Sequence, residues 1–161
     1  MSAMRSKAPI KAKTDIYRLL RGSTFSQLLS PPGSGIDQRE FDEWHKRAVD
    51  DMIKDDGRLV VGWSAKLLNV YLKTYAYVGD GGRPGLRCCL HPPIDGGLWR
   101  GIRNRFGDHN EIISETHCVN TIGAIGTYET YRRIIGGLRL AAQELGCSLF
   151  EVEQLWEGAV V

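Results

Sequence analysis

Nearly all of the periodicity in this chain is helical, with apolar positions recurring at three- and four-residue spacing. Ile16, Tyr17, Leu19 and Leu20 predict a short helix for which Thr14 is the expected N-cap, and a second short turn is expected over 25–29. Asp37-x-x-Glu40 resembles a capping box. It opens a helix reaching Asp55, with Phe41, Trp44, Ala48, Met52 and Ile53 on its inner face. The most apolar helix is expected over 63–78, with Trp63, Leu67, Val70, Tyr71, Thr74 and Val78 turned to the core. Asp95 is the expected cap of a helix carrying Leu98, Trp99 and Ile102 as far as Phe106-Gly107. Thr127 starts a long helix that Gly146 ends, and Ser148-x-x-Glu151 is a capping box for a last short helix with Phe150, Val152, Leu155 and Trp156.

Between these runs lie residues that interrupt helices. Ser30-Pro31-Pro32-Gly33-Ser34-Gly35 and the glycine-rich stretch 79–85 are loops by composition. The segment 86–90 is short and reads as extended. His91-Pro92-Pro93-Ile94 is stiff, because a residue before proline is pushed away from helical geometry. A further loop is expected to hold His109, His117 and Cys118. The fold predicted is all-α, a compact single-domain bundle of about five to seven helices over 14–161, preceded by a flexible basic arm over 1–13. A chain of 161 residues is long enough to bury a real core without covalent staples.

Charge changes that picture more than its net value of +2 suggests. Residues 1–36 hold six Lys/Arg and one acid, 37–56 four and eight, 57–110 eight and three, and 111–161 three and seven. Two basic blocks separated by acidic ones suggest a positive face suited to nucleic acid, or acidic segments that neutralise the basic ones within the fold. No apolar run approaches the roughly 18 residues of a membrane span. Arg5, Lys7, Lys11 and Lys13 lack the apolar stretch of a secretory signal, so a cytoplasmic protein is expected. Cys88, Cys89, Cys118 and Cys147 then read as reduced thiols. Adjacent cysteines chelate one ion poorly and no C-x-x-C pair exists, so neither a metal nor a cofactor is expected.

Two groups of residues carry candidate chemistry. Lys66, Asn69 and Lys73 fall at i, i+3 and i+7, on one face of the expected 63–78 helix. A lysine in a sheltered place, or beside another cation, becomes a nucleophilic amine. The second group is His91-Pro92-Pro93-Ile94-Asp95-Gly96-Gly97-Leu98-Trp99-Arg100. There the prolines fix the approach of Asp95 to a helix start, and Gly96 and Gly97 leave the helix mouth uncovered for a ligand. Arg100, Arg103 and Arg105 follow and suit phosphates, as do Lys73 and Asn69. Trp63, Tyr75, Tyr77, His91 and Trp99 supply rings for a pocket. Gly79-Asp80-Gly81-Gly82 lacks the ending of a phosphate loop, and Ser114, His117 and Cys118 lack a nucleophile elbow.

A lysine on an apolar helix, followed by Pro93-Ile94-Asp95 at the start of the next, resembles the core of helix-hairpin-helix DNA glycosylases of the archaeal 8-oxoguanine type. The resemblance covers residues 61–100, a quarter of the chain. It implies Lys66 as the nucleophile at the sugar C1′ and Asp95 as the group that handles protons and stabilises positive charge on the sugar. The hairpin differs: Val60-Val61-Gly62-Trp63 stands where the family has a glycine-rich Leu-Pro-Gly-Val-Gly. The alternative is a non-enzymatic helical interaction module, of the toxin–antitoxin or phage-defence kind, in which Lys66 and Asp95 are structural. Its partner, or a second copy, would meet the C-terminal apolar segment of Phe150, Leu155, Trp156 and Ala159-Val160-Val161.

Overall fold

The structure, a computed structural model, describes residues 7–23, 25–29 and 34–158. Arg5, most of the proline-glycine loop and the apolar tail 159–161 lie outside the described residues. The described chain is all-α and contains no strand. Six of its α-helices have seven or more residues: α1 Lys13–Gly22, α3 Gln38–Asp55, α4 Val61–Leu72, α6 Gly96–Phe106, α7 Asn110–Thr116 and α8 Tyr128–Leu145. Two single turns, α2 Ser26–Leu29 and α5 Leu86–Cys89, complete the set. No described helix is long and apolar enough to cross a membrane.

Side-chain caps set half of the α-helix starts, those of α3, α6, α7 and α8. Asp37 accepts from the Glu40 N–H at 2.8 Å and Thr127 from the Thr130 N–H at 3.1 Å, while Gly146 closes α8 in the left-handed region at φ 65°. At Ser148 the box is complete: Glu151 Oε2 accepts from the Ser148 N–H at 2.8 Å, and a 3-10 helix follows over Phe150–Leu155. Glu40 does not close its own box, because its carboxylate turns to Arg83. Thr14 is not a cap, since α1 starts one residue before it, from Ala12.

Three expectations fail for local reasons. The segment 86–90 is not extended: Gly85, at φ 86°, turns the chain into the helical turn α5. The loop expected to hold His109, His117 and Cys118 contains α7, capped by His109 and anchored by the fully buried Ile112. The described part of the basic arm does not stand free, because Ala8 and Ile10 are buried against the core.

The largest departure is the central helix. α4 lies between α3 and α8 and is buried almost all round, through Val61, Ser64, Ala65, Leu67, Leu68, Asn69 and Leu72. A helix of that kind has no single apolar stripe to read. It continues as a π-helix over Lys73–Val78, whose wider turn brings Ala76 inward. Thr74 and Val78 are consequently exposed.

Candidate functional site

α4 and its π extension leave one stripe open: Trp63, Lys66, Val70, Lys73 and Tyr77, spaced alternately by three and four residues. This stripe forms one wall of a cleft of 1540 Å³. Pro93, Asp95, Gly96, Gly97 and Arg100, at the start of α6, form a second wall. The C-terminal segment, through Cys147, Phe150, Glu153 and Trp156, forms a third, and Lys7 also borders the cleft.

Lys66 and Asp95, on two of these walls, converge in the cleft. Lys66 Nζ stands 3.5 Å from Asp95 Oδ2, with side-chain exposures of 12% and 25%. The other carboxylate oxygen, Oδ1, accepts three N–H groups: Gly97 at 3.0 Å and Leu98 at 3.1 Å from the helix end, and the Trp156 indole at 2.9 Å. Lys66 Nζ also lies 5.9 Å from the centre of the Trp63 ring, one turn earlier on α4. Lys73 donates to Glu153 at 2.7 Å, and the Tyr77 ring packs 4.3 Å from Phe150 under the guanidinium of Arg87.

Beneath the cleft runs a buried polar chain. His45 Nε2 faces Asn69 Oδ1 at 3.0 Å, and Asn69 Nδ2 donates to the Tyr131 hydroxyl at 3.0 Å and to the Pro92 carbonyl at 3.3 Å. His91 Nδ1 lies 3.0 Å from that hydroxyl and its Nε2 2.9 Å from Asp42, which Arg139 and Gln38 also hold. An amide oxygen only accepts and a carboxylate only accepts, so both imidazoles donate from Nε2. The Tyr128 and Tyr131 hydroxyls then donate to the Nδ1 atoms of His45 and His91, at 2.8 and 3.0 Å. Every member is satisfied with both histidines neutral. Burial, reinforced by the neighbouring His91, takes the His45 pKa down to about 3. Burial also lowers that of His91, against the pull of Asp42.

This network relocates two expected site residues. Asn69 lies in the interior, at 1% exposure, and ties α4 to the proline segment instead of facing phosphate. His91 is 3% exposed and sits in the network, not in the cleft. Trp99 is likewise inward, its indole donating to the Thr116 carbonyl at 2.8 Å. Each is a polar or aromatic side chain whose burial depends on partners far along the chain: Tyr131 for Asn69, Asp42 for His91 and Thr116 for Trp99.

Arg100 does line the cleft, held by the Glu157 carbonyl at 2.8 Å. Arg103 and Arg105 are exposed but point elsewhere; Arg105 borders a separate hollow of 420 Å³ beside Phe106 and Glu144. Nor is the mouth of α6 uncovered on both sides. A Cβ at Gly97 would fall 2.2 Å from Trp156 Nε1, so the C-terminal segment lies directly on that glycine and only Gly96 is open. Sequence reasoning missed Trp156 as a site residue. The available signal was Gly97 and Gly101 at i and i+4, a groove in α6 that admits another backbone.

Part of the basic blocks is paired across the fold: Arg83 with Glu40, Arg18 with Asp55, Arg58 with Asp15 and Asp56, Lys73 with Glu153. All four cysteines are free thiols, and the described residues hold no group of three His, Cys, Asp or Glu arranged for a metal. Among protein families, curated proteins and solved structures, none matches the chain.

Proposed function

We propose that the cleft is a base-excision site of the glycosylase/lyase type, acting on nucleic acid. The observation that carries the reading is the convergence of the Lys66 amine and the Asp95 carboxylate in a sheltered, ring-lined hollow. Neither residue is near the other in sequence, and both belong to the motif that resembles the glycosylase core. Lys66 sheds a proton, for which Asp95 Oδ2 is the acceptor in reach. Its nitrogen then bonds to the sugar C1′ while the glycosidic bond breaks, the electron pair leaving with the base. The departing base takes that proton from Asp95, and the carboxylate so restored meets the positive charge at C1′. Opening of the sugar ring gives a Schiff base, with Trp63 offering a flat surface to an extruded base and Tyr77 backing the wall against Phe150. Arg100 is the cation placed to meet the backbone, and Lys73 joins it where phosphate displaces Glu153.

Borohydride trapping tests this directly. Duplexes carrying an abasic site or one of a panel of modified bases should yield a covalent adduct with the intact chain. Lys66→Ala should remove it. Asp95→Asn keeps a capping oxygen, so its melting temperature should stay close to that of the parent while adduct formation drops at least about a hundredfold. A parent chain that gives no adduct on any substrate overturns the proposal.

The non-enzymatic reading retains one observation in its favour. Asp95 and Glu153 both tie the C-terminal segment to the body of the protein, through Trp156 and Lys73. On that reading no adduct forms with the parent, and Asp95→Asn, which keeps the capping oxygen, melts like the parent.

A further inference from the structure

Asp95 Oδ1 receives three N–H donors, one more than a carboxylate oxygen has lone pairs. Two come from the helix that Asp95 caps. The third comes from Trp156, sixty-one positions along the chain, on a strap that four further contacts fasten to α6. The Glu157 N–H donates to the Gly97 carbonyl at 3.2 Å. Arg100 donates to the Glu157 carbonyl and Asn104 to its carboxylate, each at 2.8 Å. The Leu155 carbonyl lies where a Cβ at Gly101 would fall, 1.7 Å away. Half of the Trp156 surface is nonetheless exposed, so the indole is not there to fill the core.

We infer that Trp156 is a positioning residue for the reaction proposed above: its indole N–H saturates Asp95 Oδ1 and fixes the carboxylate plane, leaving Oδ2 as the oxygen presented to Lys66 and substrate. The inference rests on the base-excision reading. Two adjacent backbone donors at a helix end restrain a carboxylate but leave its plane free to rock. A third donor from another element removes that freedom. Displacements of about an ångström in such an arrangement cost roughly two orders of magnitude in rate.

Trp156→Phe keeps a ring over Gly97 and deletes only the donor. Its single-turnover rate of adduct formation on abasic duplex should fall at least about tenfold, with the half-saturating duplex concentration and the melting temperature unchanged. Gly101→Ala, which displaces the strap, should lower the same rate, and the two changes together should be less than additive. Nitrogen–proton NMR gives a measure independent of turnover: the Trp156 indole resonance should move in Asp95→Ala. A parent chain that forms no adduct overturns both the reaction and this inference. A parent that reacts, with Trp156→Phe reacting at the same rate, overturns the inference alone. An indole resonance indifferent to Asp95→Ala does so too.

Discussion

Ser64 occupies the first turns of α4 with 0% exposure, and its hydroxyl is the one buried side-chain polar atom among the described residues without a hydrogen-bond partner. A hydroxyl taken from water and given nothing in return costs on the order of 1–3 kcal/mol, and serine is also a weaker helix former than alanine. Ser64→Ala should therefore raise the unfolding free energy by about 1 kcal/mol in urea titration; a loss would mean that the oxygen has a partner after all. The contrast with Asn69 shows what single positions conceal. Both lie on α4 and are polar and buried, yet Asn69 is bonded through both ends of its amide to His45, Tyr131 and Pro92. The sequence offers Lys66 and Asp95 as the candidate pair, Lys73 on the face of Lys66, and Trp63 and Tyr77 as pocket rings, although helical spacing turns Trp63 to the core. It misplaced Asn69, His91 and Trp99, because whether a polar or aromatic side chain points in or out depends on elements far away in the chain.

Among the elements, capped helices were the most legible, since Asp37, Asp95, Thr127 and Ser148 each bond the N–H groups that a local pattern predicts. α7 and the inner face of α4 were not legible. A seven-residue helix between histidines carries too little periodicity, and a helix enclosed on nearly every side has no stripe. Glycines in helix interiors are equally silent until their neighbours are known. Gly136 and Gly137 are consecutive in α8, but a Cβ at Gly136 would meet nothing within 4 Å, while one at Gly137 would sit 2.7 Å from Thr116 Cγ2 and 3.0 Å from the Thr116 nitrogen. Gly136→Ala should stabilise by up to about 1 kcal/mol through helix propensity. Gly137→Ala should destabilise by about 1–3 kcal/mol, because α7 must move away from α8. Chemical denaturation of the two variants checks the opposite signs, and equal shifts would mean that the α7–α8 contact is looser than drawn.

At the scale of the whole molecule, the buried polar chain joins α3, α4, the proline segment and α8, so its protonation state is a property of the fold. The folded protein keeps His45 neutral down to a pH of about 3 and holds His91 low as well, whereas an unfolded histidine takes a proton near 6.5. Between those values the unfolded chain binds more protons, so stability must rise with pH there. The contribution is complete above about 6.5 and drains away as the solution is acidified, for His45 at about 1.4 kcal/mol per pH unit. For His45 alone the loss by pH 5 is about 2 kcal/mol. Asp42 behaves in the opposite sense and lower down. Burial raises its pKa, but hydrogen bonds from His91, Gln38 and Arg139 outweigh that and leave it below the ordinary 3.8. Its contribution is therefore lost only under stronger acid, and the slope between pH 7 and 5 belongs to the histidines. His45→Gln retains a donor toward Asn69 and cannot titrate. It should be less stable than the parent at pH 7, because the Tyr128 hydroxyl loses its acceptor at 2.8 Å and keeps only the Asp42 carbonyl at 3.4 Å, yet take up about one proton fewer on unfolding near pH 5. Urea midpoints measured across that range decide the matter: parallel curves for the two proteins would mean that His45 is not held neutral in the interior.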